Sequence, residues 1–104
     1  TNTSEVMRSG RQQKARSKRV QRDALDRVLT EFTSYYRDVL AVQTRSGASL
    51  INAELATPIA KLAASTTPEA TIGRLDAILE CRTALETNLA PLLALEALLI
   101  QLRV

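Results

Sequence analysis

Apolar side chains recur at intervals of three and four residues along this chain, and no segment alternates apolar and polar residues with period two. The first pattern is typical of amphipathic α-helices, whereas the second would be typical of half-buried strands. A length of 104 residues is enough for one domain. The sequence therefore predicts an all-α fold, a small bundle of about four helices with a long first helix and an apolar last helix.

The ends of the first two helices follow from their apolar stretches and from the residues that can cap them. The first helix is predicted from about residue 18 to residue 43, and Gly47 beyond it can adopt the left-handed conformation of a helix cap. A second helix is predicted to begin with Thr57 as its N-cap and Pro58 at its first position, and to end near Ser65.

The third helix has the clearest predicted start. Thr67 is a capping residue, Pro68 suits the first helical turn, and Glu69 complements the positive end of the helix dipole. Thr66 and Glu69 also have the spacing of a capping box. The apolar stripe of this helix is predicted to continue to about Asn88.

The last helix, predicted from about residue 90 to residue 103, is apolar around more than half of its circumference. A helix that packs on one side needs a narrower apolar face. We therefore expect this helix either to be the central helix of the bundle or to contact a partner on its second side. Glu96 lies within the apolar arc, and we expect it to contact a neighbouring subunit or to pair with an arginine of another helix, the candidates being Arg37, Arg74 and Arg82.

Basic residues are concentrated at the start of the chain. Residues 1–22 contain seven basic residues and one acidic residue, although the net charge of the whole chain is only +3. We predict that residues 1–17 form a basic, flexible arm and that residues 18–104 form the helical domain. Such an arm serves either as a solvated linker or as a contact for phosphate groups. The candidate phosphate contacts are Arg16, Lys18, Arg19 and Arg22.

Motifs for catalysis and metal binding are missing from the sequence. The chain has no histidine, which excludes a histidine-dependent triad, and its three glycines are too isolated to form a phosphate-binding loop. The single cysteine, Cys81, excludes a disulfide scaffold, fits a reducing cytoplasm and is predicted to pack inside the bundle. The longest apolar stretch, residues 89–102, is too short to span a membrane. We expect no enzymatic activity, cofactor, metal, small-molecule substrate or membrane partner for this chain.

Two segments share their residues with a known family of helical domains. The first is Arg22-Asp23-Ala24-Leu25-Asp26 continuing through Phe32 to Tyr35-Tyr36-Arg37-Asp38-Val39-Leu40. The second is Ala77-Ile78 continuing through Cys81-Arg82, Ala84-Leu85-Glu86 and Asn88 to Pro91-Leu92-Leu93-Ala94-Leu95-Glu96-Ala97-Leu98-Leu99. Together they resemble the C-terminal domain of the δ′ subunit of the bacterial DNA polymerase III clamp loader. The closing pattern, an asparagine followed by a leucine-rich helix with a central glutamate, is shared with the γ/τ subunits.

The resemblance implies that the domain packs beside the C-terminal domains of the γ/τ and δ subunits in a ring, the collar, of a cytoplasmic bacterial complex. That complex places the sliding clamp on primed DNA. No catalytic residue is implied here, because the nucleotide-binding AAA+ domains are not in this chain, which we expect to be a piece of a longer protein. The alternatives are a nucleic-acid-binding module that uses the basic arm and the equivalent domain of a γ/τ subunit. Candidate contacts shared between core and interface are Leu95, Glu96, Leu98, Leu99 and Leu102.

Overall fold

The computed structural model describes residues 2–87 and 90–103, and this part of the chain contains four α-helices, one short 3-10 helix and no strand. The elements are α1 (Thr3–Gln43), the 3-10 helix (Ala53–Leu55), α2 (Ala56–Ser65), α3 (Pro68–Glu86) and α4 (Pro91–Gln101). The predicted all-α bundle with a long first helix is confirmed.

The start of α1 differs from its predicted position. The helix begins at Thr3, so the boundary expected near residue 18 is wrong. The side chain of Asn2 caps the new start by accepting a hydrogen bond of 2.9 Å from the amide of Ser4. Arginine, lysine, glutamine and alanine dominate the residues that follow, and all four have high helix propensity. The boundary was predicted near residue 18 because the residues before it have no apolar repeat. Such a repeat shows that one face of a helix is buried, but an exposed helix can form without it.

The helix α1 ends at Gln43, which confirms the prediction, but the residue that caps this end is Arg45 and not Gly47. Arg45 has a left-handed backbone (φ 52°), as does Gly47 (φ 75°). The amide of Arg45 donates to the carbonyl of Val42 (3.2 Å), and the amide of Ser46 donates to the carbonyl of Ala41 (3.1 Å). These two bonds form a Schellman motif with an arginine at the position that usually holds glycine.

The start of α2 is shifted from its prediction. The helix begins at Ala56, and Leu55 occupies the N-cap position without a side-chain hydrogen bond. The expectation that Thr57 caps this helix is therefore wrong, because the 3-10 helix leads directly into α2. Pro58 still lies in the first turn, where its missing N–H removes no hydrogen bond within the helix. The end at Ser65 is confirmed.

The start of α3 lies where the local sequence predicted it. The Oγ1 atom of Thr67 accepts a hydrogen bond of 3.1 Å from the amide of Ala70, which confirms the predicted N-cap. The capping box with Thr66 does not form, because the hydroxyl of Thr66 instead accepts a hydrogen bond of 3.2 Å from the guanidinium of Arg74. The predicted helix end near Asn88 lies outside the described residues.

The main core lies where α3 packs against both α1 and α4. Its buried residues are Leu29, Ala77, Ile78, Cys81, Leu85, Ala94 and Leu98. The packing predicted for Cys81 is confirmed: its thiol donates to the carbonyl of Ala94 at 3.6 Å, and burial raises its pKa. Val39 and Ile59 are fully buried outside this cluster.

The molecule is elongated because the start of α1 projects from the bundle. The longest dimension is 65 Å, close to the length of about 60 Å expected for a 41-residue helix. The radius of gyration is 18.4 Å, whereas a compact domain of this length would have about 13 Å. Residues 2–21 are exposed except for the half-buried Gly10, so this half of α1 stands in solvent.

Candidate interaction surfaces

The two sides of α4 have different environments. Pro91, Ala94 and Leu98 are buried on one side. The other side exposes four large aliphatic side chains, which we call the outer face of α4. Their exposed fractions are Leu92 64%, Leu93 55%, Leu99 48% and Ile100 66%. The helix is therefore not the central helix of the bundle: it contacts the core on one side and leaves the other uncovered.

The five candidate interface residues are divided between the two sides of α4. Leu98 is 2% exposed and belongs to the main core, and Leu102 is half-buried against it. Leu95 is also half-buried, whereas Glu96 and Leu99 are exposed. Sequence analysis missed Leu92, Leu93 and Ile100 as candidates, because an almost entirely apolar helix contains no local signal for the side that its neighbours cover.

Within the described residues, the ion pair expected between Glu96 and an arginine of another helix does not form, whereas its contact with a neighbouring subunit stays a prediction. Its side chain is exposed on the same side of α4 as Leu92 and Leu99, and it forms no ion pair with any residue in the described part of the chain. Two of its candidate partners are engaged elsewhere. The Nε atom of Arg82 lies 3.3 Å from the carboxylate of Asp26, while the guanidinium of Arg74 donates to a threonine hydroxyl.

A second exposed apolar pair lies on α3. Ile72 and Leu79 are seven residues apart, which places both side chains on one face of the helix. Both are about half exposed. Gly73 lies next to Ile72, and a Cβ atom added at this glycine would meet nothing within 4 Å. The surface of α3 around this glycine is therefore open.

A groove of about 550 Å³ lies between α1, the 3-10 helix and the end of α4. Aromatic side chains line its α1 side, and Tyr35 and Tyr36 meet edge to face with their ring centroids 5.5 Å apart. Burial raises the pKa of Tyr36, and the positive charge of Arg74 opposes this shift. Glu31 and Glu54 also line the groove, which gives it an acidic edge.

One buried carboxylate, that of Asp38, holds the segment that contributes Asn52 to the lining of this groove. Asp38 is 3% exposed and accepts three hydrogen bonds from the segment after α1, namely from the amide of Ile51 (2.8 Å), the amide of Asn52 (2.8 Å) and the side chain of Asn52 (2.9 Å). Burial by itself would raise the pKa of Asp38, but these bonds outweigh it and hold the pKa below its usual value. The carboxylate thereby fixes the approach to the 3-10 helix.

The four candidate phosphate contacts lie on the solvent-exposed half of α1 and at its junction with the bundle. Arg16, Lys18 and Arg19 are exposed, and Arg22 is half-buried. Because successive residues of a helix are rotated by about 100°, Lys18, Arg19 and Arg22 fall within an arc of about 100°, and Arg16 lies about 60° beyond the edge of this arc. The structure thus separates one of the four candidates from the others.

Within the described ranges, no group of three histidine, cysteine, aspartate or glutamate residues is placed to hold a metal ion. In the same ranges, no helix has the length and apolar character needed to cross a bilayer.

Comparison with known proteins supports one family. The sequence matches the family model described as "DNA polymerase III, delta subunit, C terminal" over residues 11–103, which is nearly the whole chain. No curated protein and no solved structure is significantly similar to it. The matched range begins inside the exposed half of α1 and includes all of α2, α3 and α4.

Proposed function

Since this chain belongs to the family of C-terminal domains of the DNA polymerase III delta subunit, we propose that it is a non-catalytic assembly domain of a clamp loader. Its role is to join the collar and to hold a subunit in the complex that places the sliding clamp on primed DNA. We assign it to the δ′ subunit because of the two segments that resemble δ′. Its partners are then the C-terminal domains of the γ/τ and δ subunits, in the bacterial cytoplasm.

The outer face of α4 is the observation that carries this proposal. Exposed apolar patches of this kind mark interaction sites on proteins. Burying one leucine or isoleucine side chain completely contributes about 1.5–3 kcal/mol, so a neighbour that covers this face gains substantial hydrophobic stabilisation. Glu96 and Arg103 lie on the same side of the helix and are exposed, so they can provide polar contacts at its edge.

A ring position requires two different contact surfaces, because each subunit meets one neighbour on each side. The outer face of α4 supplies one of these surfaces. The pair Ile72 and Leu79 on α3 is our candidate for the second, since these are also large aliphatic side chains exposed on a single helix face. Such head-to-tail interfaces join two unlike patches and need no self-complementarity.

The proposal is tested by placing charges on the outer face of α4. The double variant Leu99→Asp/Ile100→Asp should weaken assembly with the γ/τ and δ C-terminal domains by at least a hundredfold, because two desolvated carboxylates would lack partners. Size exclusion with light scattering measures the complex, and circular dichroism verifies that the variant remains folded. The matched control is Val6→Asp/Val20→Asp, which adds the same two charges at sites with 60% and 62% exposure on α1.

Full assembly by a folded double variant would refute the role of this face. Alanine substitutions of the adjacent residues Leu98 and Leu99 distinguish an effect on folding from an effect on assembly. Leu98→Ala should lower the free energy of unfolding by about 3 kcal/mol, because it leaves a cavity in the core. Leu99→Ala should change it by less than about 0.5 kcal/mol and weaken the complex instead.

A further inference from the structure

The first half of α1 is a helix without a bundle around it. Residues 3–21 are helical and, apart from Gly10, exposed, and the main core contains none of them. This segment contains six of the fourteen basic residues of the chain and a single acid, Glu5. A solvated helix that only needs stability usually mixes both signs of charge, since opposite charges four residues apart stabilise it. Helix stability therefore does not explain why this segment has almost only positive charges.

The helix gathers most of these charges on one side. With about 100° between successive residues, four of these six basic side chains fall within an arc of about 100°, and the half-buried Arg22 just beyond the segment falls within the same arc. We call this set the basic stripe, and it consists of Arg8, Arg11, Lys18, Arg19 and Arg22. Lys14 and Arg16 point outside the arc. At about 1.5 Å per residue, the stripe is about 21 Å long.

We propose that the basic stripe binds the phosphodiester backbone of duplex DNA without sequence preference. A row of cations on a projecting helix complements a row of phosphates, which in each strand are spaced by about 3.4 Å along the duplex axis. No aromatic side chain lies within residues 3–21, so the segment lacks the stacking platform that binders of single strands use. Contacts to phosphates alone position a protein on a duplex and carry no sequence information.

This inference is independent of the assembly role, because the basic stripe lies on α1 and shares no residue with the outer face of α4. Like charges three or four residues apart destabilise a helix slightly, as for Arg8 with Arg11 and for Lys18 with Arg22. Binding to phosphates neutralises these pairs. We therefore expect the first half of α1 to become more protected from hydrogen exchange when duplex DNA is bound.

The test measures binding of the whole chain to a fluorescein-labelled 20-base-pair duplex of mixed sequence, by anisotropy over a range of salt concentrations. The stripe variant is Arg11→Gln/Arg19→Gln, and the matched control is Lys14→Gln/Arg16→Gln. Both remove two positive charges from the same helical segment, and glutamine retains the helix propensity of the residues it replaces. They differ in that Arg11 and Arg19 lie within the arc of the basic stripe, whereas Lys14 and Arg16 lie outside it, one beyond each edge.

The stripe variant should bind at least tenfold more weakly than the unmodified chain, and the control less than threefold more weakly. Each lost phosphate contact should reduce the slope of log K against log salt by about 0.9, so the stripe variant should lose about 1.8 and the control much less. Equal losses in the two variants would overturn the proposal, since net charge alone would then explain the binding. Absence of binding, or tighter binding to a single strand or to phosphatidylserine vesicles, would also overturn it.

Discussion

Asp38 shows how one side chain of α1 organises a distant segment. Its carboxylate is almost completely buried and accepts hydrogen bonds from both Ile51 and Asn52. Burial of an ionised group is unfavourable unless hydrogen bonds compensate for lost water. Here three donors converge on the two oxygens, which explains why the pKa stays low despite burial. Sequence analysis gave this residue no special role, because its partners are more than ten positions away.

Asp38→Asn should lower the free energy of unfolding by about 2–3 kcal/mol at pH 7. The amide has one acceptor oxygen, and its own N–H groups would face the donors. Since the pKa of Asp38 is lower in the folded chain, its stabilisation is complete above the unfolded pKa of about 3.9 and is lost as pH falls through the folded pKa. Urea unfolding should therefore show a difference between the two proteins that shrinks below about pH 4.

The control for this prediction is Asp23→Asn, which changes an exposed carboxylate on the same helix. We expect it to change the free energy of unfolding by less than about 0.5 kcal/mol. Equal effects of the two substitutions would contradict the role of Asp38, as would a difference from the unmodified chain that persists undiminished at acidic pH.

Two residues after α1 should respond to substitution in opposite directions. Arg45 has a left-handed backbone (φ 52°) that glycine adopts with less strain, so Arg45→Gly should raise the free energy of unfolding by about 0.5–1 kcal/mol. Gly47→Ala should lower it by about 1 kcal/mol, through backbone strain alone, because a Cβ atom there would meet nothing within 4 Å. Thermal unfolding measures both, and two changes of the same sign would refute this interpretation.

At the scale of elements, the start of α3 was predictable because a side chain makes its cap, whereas the start of α1 was missed although Asn2 caps it. Thr67 caps α3 through a bond to an amide three residues away, and such a bond depends on local sequence alone. The start of α2 has no side-chain cap, since the 3-10 helix (Ala53–Leu55) continues directly into it. Its position depends on the segment that Asp38 holds, which no local pattern reveals.

Thr67→Ala should therefore lower the free energy of unfolding by about 1 kcal/mol, since it removes the acceptor for the amide of Ala70. Thr57→Ala is the matched substitution, because Thr57 lies within α2 and caps nothing. It should change the free energy of unfolding by less than about 0.5 kcal/mol. Chemical denaturation measures the free energy of unfolding of both variants. A larger effect of Thr57→Ala than of Thr67→Ala would support Thr57 as the N-cap of α2.

At the scale of the whole molecule, the structure combines a small bundle with a projecting helix. Tertiary packing supplies most helical stability in proteins, and the first half of α1 lacks it. Its amides should therefore exchange with solvent faster than those around Leu29 and Val39, which are buried in the bundle. The division of the chain into an arm of residues 1–17 and a domain of residues 18–104 remains a prediction.

Deletion of residues 1–17 tests this division. The truncated chain should retain its free energy of unfolding within about 0.5 kcal/mol, because the described residues of the deleted segment make no core contacts. Urea denaturation measures the free energy, and far-ultraviolet circular dichroism should show reduced helical content. A loss of more than about 1 kcal/mol would mean that the arm supports the bundle.

The sequence by itself determined the helical class, the last residues of α1 and α2, the cap of α3 and the membership in a family of clamp-loader C-terminal domains. Apolar spacing and capping residues act within a few positions of the chain, so they can be interpreted without coordinates. Only the tertiary structure decided which side of α4 is covered, that Glu96 is exposed and that Asp38 is buried. These outcomes depend on which distant segments meet, and the packing of α1, α3 and α4 around one core determines that.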